Sequence, residues 1–471
     1  MTSFDAAVIG SGPNGLAAAI VLATAGRSVV VLEGADQLGG SARTAELTLP
    51  GFRHDVCSAI HPMALGTPLL PSLELERYGL EWIQPPAAVA HPMDDPRAPA
   101  ALLYPDLERT ASELGADGGA WRRTLGYYAG RWDELVADAV APPGLPRSPL
   151  LMARFGAHAL LPAAVFARRM FREAPARALF AGIAAHSVLP LTRAPSSAVG
   201  LMLGAAGHAV GWPLPRGGAQ AISDALAAHL RSLGGEIRVG VTIRALAEVP
   251  TDGPVLFDTS PAAMAGIAGD ALPARFRDRL CRFRHGPGVC KVDWALDGPI
   301  PWRDPRVAEA GTVHLGGGLD ALIAAEQAPW SGRHAERPYV LLAQQSLFDD
   351  SRAPEGRHTG WAYCHVPSGS TGDRSEVIEA AVEAHAPGFR DRILARSVMT
   401  AADFQSYNPN YVGGDVNGGA SDLDQLLTRP VVRWSPYTTP NPRLYLCSAS
   451  TPPGGGVHGM CGFYAAQAAM R

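Results

Sequence analysis

The sequence predicts an α/β fold in which a discontinuous nucleotide-binding domain carries an inserted α+β domain. A strand, a glycine-rich turn, a helix and a second strand occupy residues 4–32, in the order of a βαβ unit. A helix with further strands begins near residue 216, and a last strand, glycine loop and helix occupy residues 443–471. Long segments rich in proline and aromatic residues separate these three units. We therefore expect one parallel sheet to be assembled from distant parts of the chain.

The first unit contains the turn Gly-Ser-Gly-Pro-Asn-Gly at residues 10–15. In a GxGxxG turn between a strand and a helix, the first glycine permits a tight bend and the second lets a diphosphate approach the backbone. The third lets the helix and strand pack closely. The N-terminus of the helix also offers free N–H groups to the phosphates. The dinucleotide ligands predicted at this turn are Gly10, Gly12, Pro13, Asn14 and Gly15.

The residues after the second strand predict FAD rather than NAD as the dinucleotide. Glu33 follows the β-branched run 28–32, where a carboxylate accepts hydrogen bonds from ribose hydroxyls. Gly39, Gly40 and Arg43 come next. A second glycine pair marks flavoproteins in which the chain returns past the diphosphate, and an arginine can donate two hydrogen bonds there. We expect a Rossmann-like domain of the two-dinucleotide-binding type; the alternative for Arg43 is a surface arginine.

The later units complete this domain. A helix with one apolar face ends at Gly234–Gly235, and strands are predicted at 236–239, 242–246 and 255–258. The last unit is a strand at 443–447 followed by a helix from about residue 459. We assign to the FAD-binding domain residues 1–84, 211–284 and 426–471. The inserted substrate domain then comprises residues 85–210 and 285–425.

Composition and charge exclude several classes of protein. Of 471 residues, 47% are hydrophobic and 18% charged, which is a globular rather than a disordered composition. The net charge of −4 gives no electrostatic case for binding nucleic acid. The sequence has no long uncharged apolar run and no signal-peptide pattern. Its six cysteines form no CxxC pair and no metal-ligand spacing. We therefore expect reduced thiols, no metal and a cytoplasmic location.

Six motifs are spread over nearly the whole chain. They are GSGPNGLAAAIVLATAG at 10–26, GGSARTAELTLPGFRHDVCSAIHP at 39–62, PRGGAQAISDAL at 215–226, WAYCHVP at 361–367, NPNYVGGDVNGG at 408–419 and STPPGGGVHGMCG at 450–462. Together they resemble the phytoene desaturase/amine oxidase superfamily of FAD-dependent oxidoreductases. Within it, the chain most resembles bacterial relatives of the pyridine nucleotide-disulfide oxidoreductase domain-containing protein 2 group. The resemblance says little about the substrate.

The same resemblance implies further FAD contacts. Ile243 would contact the adenine through its side chain and backbone. The last glycine loop and helix N-terminus would lie against the isoalloxazine and ribityl chain, where a helix N-terminus favours negative charge on the reduced flavin. The residues implied there are Gly455, Gly456, Val457 and His458.

Lys291 is the first candidate for catalysis. It is the only lysine among 40 lysine and arginine residues, and a buried lysine can lose its proton whereas an arginine cannot. It also resembles the lysine of amine oxidases that holds a water against flavin N5. The alternative is a solvated ion pair with Asp293, which shares its strand face.

Histidines supply the other candidate acid–base groups, because their protons exchange near neutral pH. The candidates are His365, His458 at the flavin loop, and His61. The alternative for each is a hydrogen-bonded structural role.

The segment 150–191 mixes apolar residues with five arginines, Arg154, Arg168, Arg169, Arg172 and Arg177. It suits helices that wall a tunnel for an apolar substrate. The alternatives are peripheral contact with a membrane surface and ordinary core helices with arginines facing solvent.

The sequence therefore predicts an FAD-dependent oxidoreductase that removes a hydride from a fairly apolar small-molecule metabolite. A dehydrogenase, desaturase or oxidase fits, including one of specialised-metabolite biosynthesis, with oxygen, a quinone or another acceptor reoxidising the flavin. The alternatives are a redox-neutral flavin-binding isomerase or cyclase, and a non-catalytic flavin-binding partner protein. The substrate, the acceptor and the oligomeric state are not readable from the sequence.

Overall fold

The computed structural model of the protein describes residues 4–426 and 429–471. The strands in this part of the chain are β1 (Ala6–Ile9), β2 (Val29–Leu32), β3 (Thr44–Ala45), β4 (His54–Asp55), β5 (Trp82–Ile83), β6 (Ala87–His91), β7 (Ala101–Leu103), β8 (Leu214–Pro215), β9 (Glu236–Arg238), β10 (Val255–Phe257), β11 (Gly288–Leu296), β12 (Ala310–Leu315), β13 (Val340–Ala343), β14 (His358–Val366), β15 (Ile393–Met399) and β16 (Leu444–Leu446).

The α-helices in the same residues are α1 (Pro13–Thr24), α2 (Pro62–Gly66), α3 (Leu69–Ser72), α4 (Leu107–Glu113), α5 (Gly118–Trp121), α6 (Tyr127–Ala129), α7 (Trp132–Ala139), α8 (Pro149–Ala159), α9 (Ala163–Met170), α10 (Ala174–Ala185), α11 (Ser196–Ala209), α12 (Gln220–Ser232), α13 (Pro261–Ala268), α14 (Ala274–Cys281), α15 (Leu319–Trp330), α16 (Ser375–His385), α17 (Ala401–Tyr407), α18 (Leu423–Leu426) and α19 (Met460–Ala469).

One sheet is parallel and has five strands in the order β16-β10-β1-β2-β9. The strands β1 and β2 are buried along their whole length, as continuous apolar runs in a doubly covered parallel sheet must be. Helices α1, α12 and α19 pack on one side of it, and α13 and α14 pack on the other. This is the α/β Rossmann-like architecture that the sequence predicts.

A second sheet has seven strands in the order β15-β11-β14-β13-β12-β6-β7. All neighbouring strands are antiparallel except β12 and β6. Helices α10 and α11 share one apolar cluster with one side of this sheet, and α16 shares another with the opposite side. Because helices cover both sides of this sheet, its strands β6, β7, β11, β12 and β13 are buried along their whole length.

The strands of the two sheets are separated along the chain. Those of the five-stranded sheet fall within residues 1–84, 211–284 and 426–471, and those of the seven-stranded sheet fall within 85–210 and 285–425. The division into two domains at these boundaries stays a prediction, and the allocation of strands favours it.

One predicted strand, 242–246, was wrong. The N–H of Val241 donates to the carbonyl of Glu33 (2.8 Å) just beyond the end of β2, and Leu246–Glu248 forms a 3-10 turn. The chain therefore leaves the sheet after β9 instead of adding a strand.

The arginine-rich segment 150–191 folds into α8, α9 and α10. Arg154, Arg168, Arg169 and Arg172 are exposed, while the apolar residues of these helices are mostly buried. This pattern favours core helices with arginines facing solvent. Among the described helices, none is by itself long and apolar enough to span a membrane; α8 and α9 would qualify only as a pair, and they meet at 103°.

Candidate functional site

The glycine turn after β1 leaves no room for side chains. A Cβ atom on Gly15 would lie 2.2 Å from the carbonyl oxygen of Gly10, and one on Gly12 would lie 2.5 Å from Oδ2 of Asp258. Gly10 has a φ of +100°, which only glycine adopts without strain. Gly10 therefore makes the tight bend and Gly15 the close packing that the motif predicts, while the approach of a diphosphate to Gly12 stays a prediction.

The second glycine pair lies directly against this turn. A Cβ atom on Gly40 would stand 3.0 Å from Cα of Gly12. The N–H of Gly39 donates to the carbonyl of Ser11 (3.1 Å). The chain thus returns across the first turn. The backbone at Gly12 and the backbone at Gly39–Gly40, both without side chains, therefore lie next to each other.

A carboxylate and a guanidinium flank the paired turns. Oε2 of Glu33 accepts hydrogen bonds from the N–H (2.9 Å) and the hydroxyl (2.6 Å) of Ser11. Arg43 is 5% exposed, and its Nη2 lies 3.6 Å from Oε1 of Glu33. Arg43 also donates to the carbonyls of Gln37 and Leu38. The arginine is therefore a buried part of the site and not the surface residue of the alternative interpretation.

Sequence reasoning missed Asp258, which lies beneath the turn. It follows β10, and its Oδ2 accepts the N–H of Gly15 (2.9 Å). Burial raises the pKa of Asp258 to about 7, and the charge of Glu33 adds to the increase. Asp258 could have been found as an acidic residue at the carboxyl end of β10. Ligands of parallel sheets bind at the carboxyl ends of the strands.

The last glycine loop brings a second helix N-terminus to the same place. A Cβ atom on Gly462 would lie 1.8 Å from the carbonyl of Asn14, and one on Gly459 would lie 2.9 Å from Cβ of Ala17. The first turns of α1 and α19 are therefore in contact. In the loop before α19, Gly456 has a φ of +138° and Val457 a φ of +52°; the latter is strained for a β-branched residue.

His458 lies in this loop and is hydrogen-bonded to the start of α19. Its Nδ1 accepts the N–H of Met460 (3.0 Å) at the start of α19. Burial lowers the pKa of His458 to about 4, so the ring is neutral near pH 7. These contacts favour a helix-capping role over the acid–base role predicted from the sequence.

Ile243 lies close to the end of β2, where the sequence resemblance places the adenine. Its side chain is 8% exposed and belongs to an apolar cluster with Ile9 and Leu32. The adjacent Thr242 has its Oγ1 3.2 Å from the position of a Cβ on Gly34. The chain therefore passes close to Glu33, and the adenine contact remains a prediction.

One side of the seven-stranded sheet carries the remaining candidates. We call it the inner face and define it by Lys291, Asp293, Trp361, Tyr363 and His365. Its Trp361 and Tyr363 belong to the apolar cluster that also contains residues of α10 and α11, and Lys291 pairs with Tyr363 in the β11–β14 register. Side chains alternate along a strand, so the register places these five residues on one side.

Lys291 forms a buried ion pair with Asp293. The ammonium donates to Oδ2 of the carboxylate, and the two residues are 1% and 0% exposed. Burial raises the pKa of Asp293 to about 6, although the charge of Lys291 opposes this. The predicted pair on one strand face exists, but it is buried rather than solvated. The ammonium also lies 5.9 Å from the ring centroid of Trp361.

The two other histidine candidates are both buried. Nε2 of His61 lies 2.7 Å from the hydroxyl of Ser58, and burial lowers the pKa of His61 to about 4. Nδ1 of His365 lies 2.8 Å from Oε2 of Glu326, a residue that sequence reasoning also missed.

The paired turns fit a dinucleotide. Gly12, Gly15 and Gly40 bring their backbones so close to neighbouring protein atoms that a Cβ atom on any of them would lie within 3.0 Å of one, and this leaves backbone without side chains at the turns. The buried amide oxygen of Asn14, at the start of α1, has no hydrogen-bond partner among the described residues. Glu33 and Arg43 supply an acceptor for ribose hydroxyls and a donor for phosphate.

Comparisons with known proteins agree with this geometry. Residues 8–67 match the family of NAD(P)-binding Rossmann-like domains. The chain is 26% identical to pyridine nucleotide-disulfide oxidoreductase domain-containing protein 2 of Mus musculus, over 99% of this chain and 93% of the mouse protein.

Solved structures show the same fold. An oxidoreductase from Methanosarcina mazei superposes with a TM-score of 0.65 at 17% identity, over 99% of both chains. Putrescine oxidase bound to putrescine superposes with a TM-score of 0.62 at 17% identity, over 100% of this chain and 98% of the oxidase. The chain is therefore similar over nearly its whole length to pyridine nucleotide-disulfide oxidoreductase domain-containing protein 2, and it shares its fold with the Methanosarcina mazei oxidoreductase and with putrescine oxidase.

Proposed function

We propose that the protein is an FAD-dependent oxidoreductase that removes a hydride from a fairly apolar small molecule. One observation carries the proposal: the backbone of Gly40 lies against that of Gly12, so that the two glycine turns are in direct contact. A single-turn dinucleotide site needs no second glycine run at that position. The neighbouring start of α19 adds a second helix N-terminus, where negative charge is stabilised.

The residues of the paired turns would bind the diphosphate and the ribose of the adenosine diphosphate half of FAD. Backbone N–H groups of the first turn of α1 and the Arg43 guanidinium would bind the diphosphate. The Glu33 carboxylate would bind the ribose and would repel the extra phosphate of an NADP-type ligand. When bound, FAD would supply the acceptor for hydride.

The inner face is the proposed substrate side. Aromatic rings dominate it: Trp361 and Tyr363 meet edge to face with centroids 5.3 Å apart, and Tyr339 stacks on His365 at 5.8 Å. Such rings bind apolar compounds and exclude water. Lys291, as the buried cation of this face, would orient a substrate or a water.

The first test is the absorption spectrum of the purified protein with mass analysis of any released cofactor. We expect a flavin band and released FAD. A well-folded protein that is colourless and does not bind added FAD would contradict the proposal.

A second test separates net oxidation from redox-neutral chemistry. Candidate substrates are mixed with the FAD-loaded protein without oxygen, and the flavin band and the product are followed together. Bleaching with product formation supports hydride removal. Product without bleaching supports the alternative, a flavin-binding isomerase or cyclase.

A further inference from the structure

A buried imidazole and a buried carboxylate meet on the inner face. His365 on β14 is 3% exposed, and Glu326 on α15 is 2% exposed. Nδ1 of His365 lies 2.8 Å from Oε2 and 3.0 Å from Oε1 of Glu326. Because an ionised carboxylate only accepts hydrogen bonds, this contact places a proton on Nδ1.

The other ring nitrogen has no partner. Nε2 of His365 is buried, and throughout residues 4–426 and 429–471 no group forms a hydrogen bond with it. In the tautomer that Glu326 selects, Nε2 of a neutral ring carries a lone pair. An acceptor that the protein leaves unpaired is free to take a hydrogen bond or a proton from a ligand.

The surroundings of the ring leave His365 as the base. Tyr339 and Tyr363 flank it, with centroids 5.8 Å and 5.6 Å away. Burial raises the pKa of both phenols well above the usual range, so each keeps its proton. Tyr363 on β14 pairs with Lys291 on β11. His365 is two residues beyond Tyr363 on the same strand, so its imidazole is the next side chain along this face from the Lys291–Tyr363 pair.

We propose that His365 and Glu326 form the proton-transfer pair of this site. An N–H, O–H or activated C–H bond of the substrate breaks, its electron pair stays on the substrate, and the proton bonds to Nε2 of His365. Glu326 is a positioning residue: it holds the ring through Nδ1 and stabilises the imidazolium that forms. This inference rests on the proposed function for its substrate and adds a base to that site.

The tautomer of His365 tests the arrangement without any substrate. In FAD-loaded protein carrying nitrogen-15 in its histidines, long-range proton–nitrogen NMR spectra at pH 8 show which ring nitrogen bears the proton, and His365→Gln identifies the signals. We expect the proton on Nδ1 in the wild type. Glu326→Leu should move it towards Nε2, the usual site in a free neutral imidazole.

Glu379→Leu is the matched control. Glu379 is a buried carboxylate on α16, on the opposite side of the sheet, where it accepts hydrogen bonds from Trp294 and Arg396. Its loss should leave the His365 signals unchanged. A wild-type ring protonated on Nε2, or a tautomer indifferent to Glu326→Leu, overturns the pair.

Rates then test the proton transfer. With a compound that bleaches the flavin without oxygen, we expect bleaching to slow about 100-fold in His365→Gln and about 10-fold in Glu326→Gln, at unchanged FAD content. Glu379→Gln should keep the wild-type rate. A rate in His365→Gln within about twofold of wild type overturns the proposal.

The two proposals can fail separately. A protein that binds no FAD overturns the proposed function, while the NMR experiment on the cofactor-free protein still decides the arrangement of the pair. If product forms without bleaching, its rate of formation replaces bleaching, and the same variants decide whether His365 takes the proton.

Discussion

The paired glycine turns and the inner face present opposite kinds of surface. The turns consist of backbone from residues close in sequence, packed so tightly that Gly12, Gly15 and Gly40 have no space for a Cβ atom. The inner face consists of side chains from strands distant in sequence, with the charges of Lys291 and Asp293 fully buried. At the turns, a substitution should therefore destabilise the protein by adding side-chain volume. At the inner face, it should do so by leaving a buried charge without its partner.

The largest effect is expected at the inner face. Lys291→Met leaves the Asp293 carboxylate buried without its partner, and breaking a buried pair costs about 3–5 kcal/mol. The free energy of unfolding, measured in urea on FAD-free protein, should fall by that amount. The double variant Lys291→Met/Asp293→Leu should recover most of it.

The double variant also separates stability from catalysis. If it is stable, binds FAD and turns over slowly, Lys291 takes part in the chemistry. Wild-type turnover in that variant would remove Lys291 from the mechanism and leave a structural ion pair.

At the turns, Gly15→Ala should destabilise the protein because the added methyl group has no room. Its Cβ atom would meet the Gly10 carbonyl at 2.2 Å, and overpacking of this kind costs about 1–3 kcal/mol. We expect a lower melting temperature and an FAD content reduced about tenfold after desalting. Gly266→Ala on α13 is the control, because no atom lies within 4 Å of the new methyl group. Equal FAD content in both variants would contradict the predicted role of the turn.

Arg43→Met tests the charged flank of the turns. A hydrogen bond to a charged group contributes about 1.5–3 kcal/mol, so FAD should bind about 10- to 100-fold more weakly. Arg97→Met, at an exposed arginine paired with Asp95, should bind FAD as the wild type does in the same fluorescence titration. Unchanged affinity in Arg43→Met would mean that Arg43 only supports the loop carbonyls of Gln37 and Leu38.

The last prediction concerns Asp258 and the pH dependence of stability. Its pKa is about 7 in the folded protein against a usual value of 3.8, so between these values the native state holds a proton that the unfolded chain has lost. Stability should therefore decline as the pH rises from about 4 to 7. Asp258→Asn, which keeps an acceptor for the Gly15 N–H, should flatten this part of the curve; an identical slope in thermal melts would contradict the assignment.

The same contrast explains how much the sequence predicts. The turn, Glu33, Gly39–Gly40 and Arg43 lie within 34 consecutive residues, 10–43, and their roles follow from local spacing. Asp258 reaches the turn from more than 240 residues away, and its contribution depends on β10 lying beside β1. Nothing in the local sequence fixes that strand order.

The inner face was less accessible to prediction. Lys291 was found because it is the only lysine of the sequence, and Asp293 because alternation along one strand puts it on the same side as Lys291. Glu326 could not be linked to His365, because that contact depends on how α15 packs against β14. The predicted strand at 242–246 failed for a similar reason: its residues favour a strand, but whether they join the sheet depends on the path of the chain after β9.

The contact between Gly462 and Asn14 has a consequence for synthesis. The two helix starts that meet there are 448 residues apart in the sequence (462 − 14), so the glycine turn at residues 10–15 is made long before its contact at Gly462. At about 5–20 residues per second, that interval is roughly 20–90 seconds. We therefore expect flavin to be captured only after the ribosome has released the C-terminal helix, and a nascent chain stalled before residue 460 to remain colourless.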